Sequence, residues 1–310
     1  MIKLWILLLF LVLSVGTVPA QTPVWQPSSE HTQVSIWPGA VPDAQPAPGA
    51  ESMKTDSNFL VAGRHVMGVD NVTRPTMTVY APTGTNTGAA VVFPGGGFAG
   101  LAIDLEGTEV CDWLTSGGIT CVLLKYRVPS LPYDWHCDCR PNGLATSTLA
   151  LEDAQRTVGL VRFHAAEWHV DPSKIGVLGF SAGGYLVAEI STHFEHRLYA
   201  SVDAADGKSC RPDFAVAIYP GHLWMDDGLK LNPHVPVTSQ TPPTFLLQAK
   251  DDPVDTVKNS LVYYAALKKA GVPLEMHLYA HGGHAFGLRR TKFPITGWPE
   301  LVETWLGTVG

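Results

Sequence analysis

Two hydrophobic periodicities alternate along this chain. Seven runs have the length and composition of β-strands, and several of them are near-continuous apolar runs, which is typical of strands buried on both sides of a sheet. Between them, apolar residues recur at helical spacing. The strand-like runs are 76–81, 89–93, 120–126, 174–180, 214–219, 244–249 and 274–279, and the predicted helices are 154–168, 186–194, 257–264 and 299–306. This alternation predicts an α/β protein with a mostly parallel central sheet of about eight strands, helices on both faces, and function in loops beyond the carboxyl ends of the strands.

Two segments precede the alternating region. Residues 1–20 carry one charge at Lys3, an apolar run of about 12 residues and a small-residue ending. A membrane span needs about 20 apolar residues, so we expect a cleaved secretory signal, a secreted or periplasmic protein and no membrane attachment after cleavage. Residues 21–57 are rich in Pro, Gln and Ser, with Trp25 and Trp37 as large anchors, and predict an extended arm. The main domain is expected over 58–310.

Composition narrows the classes of partner. The 310 residues include 21 Lys+Arg and 28 Asp+Glu, a net charge of −7, with 45% hydrophobic and 16% charged residues. Such a chain is too apolar to be disordered. Because it lacks basic runs, we expect no nucleic-acid partner, and a neutral or small-molecule partner instead.

The five cysteines are an odd number, so at least one has no partner within the chain. The sequence leaves the pairing open, with a bond from Cys137 or Cys139 to Cys210 as one possibility. The cluster His136-Cys137-Asp138-Cys139 superficially resembles a metal site. A Cys-x-Cys pair in an exported protein more often forms a disulfide, so we expect no metal.

The strand predicted over 174–180 runs directly into Gly179-Phe180-Ser181-Ala182-Gly183 and then into a helix. A G-x-S-x-G string between a buried strand and a helix is the pattern of a nucleophile elbow, in which the serine stands on a sharp turn above the sheet. Small residues two before and two after the serine leave room where strand and helix approach each other. We therefore predict Ser181 as a nucleophile, and a tight structural turn is the alternative.

A serine hydroxyl is a weak nucleophile until a base accepts its proton, so a histidine and an orienting carboxylate are also required. The sixth predicted strand is followed by Asp251 and Asp252, and the seventh by His281 and His284. Asp252 is preferred because it directly precedes Pro-Val in the turn. His284 is preferred because two glycines before it let the backbone bring the imidazole over the elbow. The order Ser, Asp, His is that of the α/β-hydrolase fold.

The loop after the second predicted strand is Pro94-Gly95-Gly96-Gly97-Phe98. Glycines expose backbone N–H groups without steric cost, so we predict an oxyanion hole formed by Gly96, Gly97 and Ala182. Phosphate binding is the alternative use of such a loop. No Lys-Ser or Lys-Thr follows, and no G-x-G-x-x-G with a downstream acidic residue is present, so we expect no nucleotide cofactor.

Beyond these motifs, the sequence resembles secreted bacterial α/β-hydrolase-fold esterases related to xylan acetylesterases and bacterial feruloyl esterases, over about residues 35–305. The resemblance rests on Ile36-Trp37-Pro38-Gly39, Phe93 to Phe98, Glu106-Gly107, Trp113-Leu114, Lys125-Tyr126-Arg127, Glu152 to Arg156, Ala165 to Trp168, Gly179 to Gly184 and Gly282-Gly283-His284. It implies hydrolysis of short acyl or aryl esters on sugars, through an acyl-enzyme and without a cofactor. Related lipases have His where this chain has Pro94, which favours the carbohydrate-esterase side.

Aromatic residues near the predicted site are candidates for substrate contacts. Phe98 follows the glycine loop and is expected to wall the pocket. Loops emerging from strand ends carry Trp135, Trp224 and His222, which are expected to line the pocket, with packing at the sheet edge as the alternative. Both loops are too short for a separate lid domain, so we expect an open site.

Together these patterns predict a secreted serine carboxylesterase acting on a small-molecule or carbohydrate ester, with acetyl esters on xylan or oligosaccharides favoured. A feruloyl or general short-chain carboxylesterase is the alternative. Two rivals share the fold: a peptidase of the prolyl-oligopeptidase type, for whose usual propeller domain we find no segment, and a catalytically silent binding protein. The sequence leaves the oligomeric state open.

Overall fold

Strands and helices alternate along the chain in the computed structural model, which describes residues 24–46, 48–85, 88–129, 141–225 and 228–309. Within those ranges the elements are β1 (Gln33–Ser35), β2 (Ser52–Val61), β3 (Arg64–Asp70), β4 (Thr76–Tyr80), β5 (Gly88–Phe93), β6 (Gly100–Ala102), α1 (Glu109–Ser116), β7 (Ile119–Lys125), α2 (Pro141–Phe163), β8 (Ile175–Phe180), α3 (Ala182–Ile190), β9 (Ala215–Ile218), β10 (Trp224–Met225), β11 (Lys230–Leu231), β12 (Thr244–Ala249), α4 (Lys258–Ala270), β13 (Leu274–Tyr279) and α5 (Trp298–Val309). A π-helical turn, Asp104–Thr108, leads into α1, and 3₁₀ turns occupy Ala204–Gly207 and Pro294–Gly297.

The main sheet of the described residues has eight strands in the order β1-β4-β7-β5-β8-β9-β12-β13. From β7 to β13 all neighbours run parallel, whereas β4 is antiparallel to both β1 and β7. Strands β5, β8, β9 and β12 are buried along their whole length, because helices cover a parallel sheet on both faces. The predicted mostly parallel sheet of about eight strands is confirmed. Among the strands of this main sheet, β1 is the one that the sequence patterns did not predict.

The strand order reverses beside β5. The chain leaves β5, passes through α1 and returns as β7 on one side, then passes through α2 and returns as β8 on the other side. Right-handed crossovers in opposite directions place α1 and α2 on opposite faces of the sheet. The carboxyl ends of β5 and β8 therefore border the crevice at the switch point, where open α/β sheets bind ligands.

The predicted arm packs closely on the main domain. The Trp37 indole donates a hydrogen bond of 2.9 Å to Asp153 inside α2, and Arg156 Nε donates one of 2.9 Å to the Ile36 carbonyl. Trp25 and Trp37 are buried, as expected of anchors. The arm contributes β1 to the main sheet, and β2 begins at Ser52, so the predicted boundary at residue 57 falls inside a strand.

A second sheet, β2-β3-β6, is antiparallel and was not predicted. Its edge strand β6 begins three residues after Gly97, so the small sheet is attached directly to the glycine loop. This connection brings the β2-β3 hairpin, which comes from a distant part of the sequence, over the carboxyl ends of the main sheet.

Within the described ranges, a disulfide joins Cys111 of α1 to Cys121 of β7. Cys210 is buried and, among the described residues, has no disulfide partner. Cys137 and Cys139 lie outside the described residues, so the pairing of either with Cys210 stays a prediction. In the described ranges, every helix is too short or too polar to span a bilayer. The predicted leader, residues 1–20, lies outside those ranges.

Candidate active site

Ser181 stands on the turn between β8 and α3, with a backbone φ of 53° and ψ of −119°. A non-glycine residue at positive φ is uncommon and occurs where the surrounding structure enforces it. The two glycines of the G-x-S-x-G string explain how. A Cβ on Gly179 would lie 2.2 Å from the Gly183 carbonyl oxygen, and a Cβ on Gly183 would lie 2.1 Å from the Phe93 oxygen. Close approach of β5, β8 and α3 thus requires glycine at both positions.

The three side chains predicted to act together form one hydrogen-bonded chain. His284 Nε2 lies 3.0 Å from Ser181 Oγ, and His284 Nδ1 lies 2.7 Å from Asp252 Oδ2. The residues come from the carboxyl ends of β8, β12 and β13. Because parallel strands end at the same edge of the sheet, residues 103 positions apart in sequence meet there.

The Asp252 carboxylate is held by donors from its own surroundings. Oδ1 accepts the backbone N–H groups of Val254 and Asp255, each at 2.9 Å, and Oδ2 accepts Gln248 Nε2 at 3.1 Å. Its side chain has no exposed surface. Together with His284, these three donors occupy the roughly four acceptor positions that the Asp252 carboxylate offers. This arrangement fixes the orientation of the imidazole.

The glycine loop after β5 has the conformation that exposes its N–H groups. Gly96 has a φ of 137°, and a Cβ there would lie 2.2 Å from the Gly100 oxygen. The N–H groups of Gly96 and Gly97 have no acceptor among the described residues, and Ala182 N opens helix α3, where N–H groups lack intrahelical partners. All three are available to an oxyanion. Gly95 N is not, because it donates to a buried carboxyl group.

That carboxyl group belongs to Glu106, which the sequence patterns did not single out as a site residue. Its Oε2 accepts Gly95 N at 2.7 Å, and its Oε1 accepts the Tyr219 hydroxyl at 2.8 Å. The Tyr219 oxygen accepts Gly287 N, and the Tyr219 ring packs 4.8 Å from the His284 ring. Burial raises the pKa of Glu106 despite these donors. The network ties the glycine loop to the loop that carries the histidine.

The pKa of His284 lies above its usual range. Burial alone would lower this pKa, but the hydrogen bond to Asp252 and the negative charges of Asp255, Asp252 and Glu106 outweigh burial. These groups favour the imidazolium that forms when His284 accepts the serine proton.

Asp255 is a fourth side chain at the centre of the site, and the sequence analysis missed it. Its Oδ2 lies 3.2 Å from Ser181 Oγ and 3.7 Å from His284 Nε2. Burial raises the pKa of this carboxyl, and the charges of His284 and His222 oppose that rise. A carboxylate in the same strand-end loop as Asp252 was an available signal, but its direction depends on the loop conformation.

A cleft of about 690 Å³ opens above the serine. The main sheet forms its floor, and the β2-β3-β6 sheet forms one wall. Its lining includes Ser181, His284, Gly96, Gly97, Phe59 and Val254. Phe59 and Val254 are 40% and 54% exposed, so the rim offers apolar surface to a ligand. In the described parts of the chain, no group of three or more His, Cys, Asp or Glu side chains could hold a metal ion.

The aromatic residues predicted to contact substrate are placed differently. Phe98 is only 4% exposed and does not line the cleft; its ring packs on Tyr126, Tyr185 and His222. Trp224 is also absent from the cleft, because its indole lies under Lys258 Nζ and donates to the Gly228 carbonyl. These two side chains are therefore not among the residues that line this cleft, and a contact of either with substrate stays a prediction. Trp135 lies outside the described residues.

Known proteins share this architecture. A model of the prolyl oligopeptidase family matches residues 151–305, half of the chain and the part that contains all three residues of the hydrogen-bonded chain. The chain belongs to the prolyl oligopeptidase family. Like the fold predicted from the order Ser, Asp, His, the fold observed here is the α/β-hydrolase fold.

Two curated proteins are similar to this chain over different spans. An acetylxylan esterase of Xylanibacter ruminicola is 28% identical over 249 residues, 73% of this chain and 46% of that protein. The endo-1,4-beta-xylanase B of Butyrivibrio fibrisolvens is 26% identical over 227 residues, 67% of this chain and 34% of that protein. The chain thus spans half or less of the length of these curated relatives.

Among solved structures, an acetyl ester-xyloside bifunctional hydrolase from Caldicellulosiruptor lactoaceticus is 31% identical, with a TM-score of 0.69. The match covers 94% of this chain and 98% of that one. The resemblance to xylan acetylesterases inferred from the sequence motifs is confirmed by these similarities.

Proposed function

We propose that this protein is a serine carboxylesterase. The observation that carries the proposal is the continuous hydrogen-bonded chain from Asp252 through His284 to Ser181. Beside it lie backbone N–H groups for which the described part of the chain provides no acceptor. In an esterase, Ser181 Oγ attacks the ester carbonyl carbon while His284 Nε2 accepts the hydroxyl proton. Asp252 holds the imidazole in the tautomer with hydrogen on Nδ1 and stabilises the imidazolium.

The negative oxygen of the tetrahedral intermediate accepts hydrogen bonds from Gly96, Gly97 and Ala182. A single such donor contributes roughly 3 to 4 kcal/mol to the transition state. His284 then protonates the leaving alcohol, and an acyl group stays on Ser181. Water, deprotonated by His284, attacks this acyl-enzyme and releases the acid.

We further propose that the alcohol part is a sugar and the acyl group acetyl, as on xylan or oligosaccharides. The similarity of this chain to an acetylxylan esterase and to an acetyl ester-xyloside hydrolase supports this substrate class. The open cleft supports it too, because a sugar ring has room beside the apolar rim.

We also propose that the leader at 1–20 directs export, which would place the enzyme where extracellular polysaccharide occurs. Sequencing the amino terminus of the exported protein tests for cleavage near Gln21.

The direct test uses p-nitrophenyl acetate with the wild type and Ser181→Ala. The variant should lose nearly all hydrolysis while keeping the thermal unfolding of the wild type, because only the attacking oxygen is removed. Activity close to that of the wild type would refute the proposal. A panel of acetylated xylan, methyl ferulate, longer p-nitrophenyl esters and a proline peptide then ranks acetyl-sugar, feruloyl, general esterase and peptidase activities. The acetylated xylan should be the preferred substrate.

A further inference from the structure

Asp255 occupies a defined place relative to the reaction. His284 Nε2 must protonate the leaving alcohol, so the alcohol oxygen departs next to that atom. Asp255 Oδ2 is 3.7 Å from Nε2 and 3.2 Å from the attacking oxygen of Ser181. The Asp255 carboxylate therefore lies beside the alcohol part of a bound ester.

Asp255 is not itself part of the cleft lining, but Ser181, His284 and Val254, which adjoin it, are, and its partly exposed carboxylate has capacity to bind a ligand. The Asp255 side chain is 14% exposed, against 10% for His284 and 0% for Asp252. A carboxylate offers about four acceptor positions. Among the described residues, Asp255 accepts one hydrogen bond, from Ser181, whereas Asp252 accepts from three neighbours as well as His284.

The neighbourhood of Asp255 suits a hydroxyl better than a cation. His222 lies close enough for its charge to stabilise the Asp255 carboxylate. The loop after β9 holds His222 at a φ of 54° and Tyr219 at 39°, a conformation that persists only where contacts enforce it. When the His222 imidazole is protonated, its positive charge disfavours a substrate ammonium beside Asp255, whereas a neutral hydroxyl meets no such repulsion.

Ser181 has a single proton, which can be donated to Asp255 or to His284 but not to both. A substrate hydroxyl that donates to Asp255 takes the place of this competing interaction. The serine proton then points to His284, as the attack requires. Binding of such a hydroxyl would therefore aid the chemical step as well as affinity.

We propose that Asp255 accepts a hydrogen bond from a free hydroxyl next to the ester on the alcohol part of the substrate, which makes the enzyme selective for monoesters of vicinal diols such as partly acetylated sugars. This inference rests on the proposed esterase function. In a vicinal diol the second oxygen stands about one hydrogen-bond length from the first, so an ester oxygen beside Nε2 places its neighbour near Asp255.

The test compares two substrates that differ at one position. One is a methyl xyloside carrying a single acetyl group with the adjacent hydroxyl free, and the other has that hydroxyl O-methylated. The wild type should have the higher kcat/KM for the free hydroxyl. In Asp255→Ala the ratio of the two kcat/KM values should fall about 10- to 100-fold, as expected for a hydrogen bond to a charged acceptor. The ratio for the isosteric variant Asp255→Asn should lie between those of the wild type and Asp255→Ala. If the alanine variant does not fold, the ratio for Asp255→Asn tests the inference.

Asp251→Asn is the matched control, because it removes a carboxylate from the same loop that points to His281 and to Gly282 and Gly283 N–H. Its ratio should equal that of the wild type, whatever its absolute rate. A ratio unchanged in both Asp255 variants, or near one in the wild type, would overturn the inference and leave the esterase function standing. A third substrate, with an ammonium group in place of the free hydroxyl, serves as a further check. If the wild type prefers it and the Asp255 variants do not, the inference is also overturned. Activity retained in Ser181→Ala, or a wild type that hydrolyses neither ester, would instead contradict the esterase function itself.

Discussion

Two carboxylates three residues apart, Asp252 and Asp255, approach the same imidazole from its two nitrogens. Asp252 meets His284 Nδ1 at 2.7 Å, is fully buried, and accepts hydrogen bonds from backbone and glutamine donors as well. Asp255 lies 3.7 Å from Nε2, keeps part of its side chain exposed, and accepts from the nucleophile. A carboxylate saturated by its own protein can only orient the histidine, whereas one that is partly exposed can also meet a substrate.

The largest difference between the two carboxylates is expected in kcat, which Asp252→Asn should lower far more than Asp255→Asn. An asparagine amide donating toward Nδ1 stabilises the wrong tautomer of His284, so kcat for p-nitrophenyl acetate should fall about 10⁴-fold. Steady-state kinetics with active-site titration checks this result, and the matched variant is Asp255→Asn, whose loss should be far smaller. Equal losses in the two variants would remove the distinction between them.

Glu106 extends the comparison to a carboxyl on the oxyanion side. Glu106→Ala leaves Gly95 N and the Tyr219 hydroxyl without their acceptor in a buried place, at about 1 to 3 kcal/mol for each group. We expect kcat to fall about 10- to 100-fold and the melting temperature to fall as well. Glu106→Gln keeps an acceptor for one of the two donors and should recover much of both quantities. An alanine variant with the kinetics of the wild type would show that the glycine loop does not depend on Glu106.

Asp255 should also be visible in the pH profile. Its charge is one of the causes that raise the pKa of His284. Asp255→Asn should therefore lower that pKa, and the acid limb of kcat/KM, which reports the base of the free enzyme, should move to lower pH. Asp112→Asn, an exposed change on α1, should leave the limb in place. A shift to higher pH, or none, would contradict the electrostatic role of Asp255.

Glu189 of α3 is expected to have the smallest effect on activity, because its role concerns stability alone. Burial raises its pKa to about 8, against which the hydrogen bonds from Ser147 and Tyr185 and the charge of His222 act, and its Oε2 has no partner in the structure described. The folded state therefore holds a proton that the unfolded chain releases near the ordinary glutamate pKa, so this stabilisation is present at low pH and is lost as pH rises toward 8. In Glu189→Gln this part of the decline should disappear, as measured by thermal unfolding between pH 5 and 8. An identical pH dependence in both proteins would refute the assignment.

The strand-like runs predicted the seven long strands of the main sheet, most clearly for β5, β8, β9 and β12, because strands buried on both faces leave little room for polar residues. The same principle explains what was missed. Strand β2 has the sequence SMKTDSNFLV, with charges that a half-exposed antiparallel strand tolerates, and it pairs with β3 and not with the main sheet. β1 is three residues long, too short for a period to show.

The residues of the active site also fall into two groups, those that the sequence predicted and those that it did not. Ser181, Asp252 and His284 follow directly from strand ends, so sequence order and sheet topology bring them together. Glu106 lies in a π-helical turn, and Asp255 points at Ser181 because the Asp252 carboxylate folds the loop back through backbone N–H groups. Such directions arise from contacts between distant segments, and no local pattern in the sequence encodes them.

The most direct measurement is the position of a covalent adduct. A fluorophosphonate reacts with a serine only where a base and an oxyanion site activate it, and peptide mapping by mass spectrometry identifies the residue. The account predicts one adduct, on Ser181, that is absent in Ser181→Ala and greatly slowed in His284→Ala. An adduct on another residue, or an unmodified Ser181 in the folded and otherwise active protein, would contradict it.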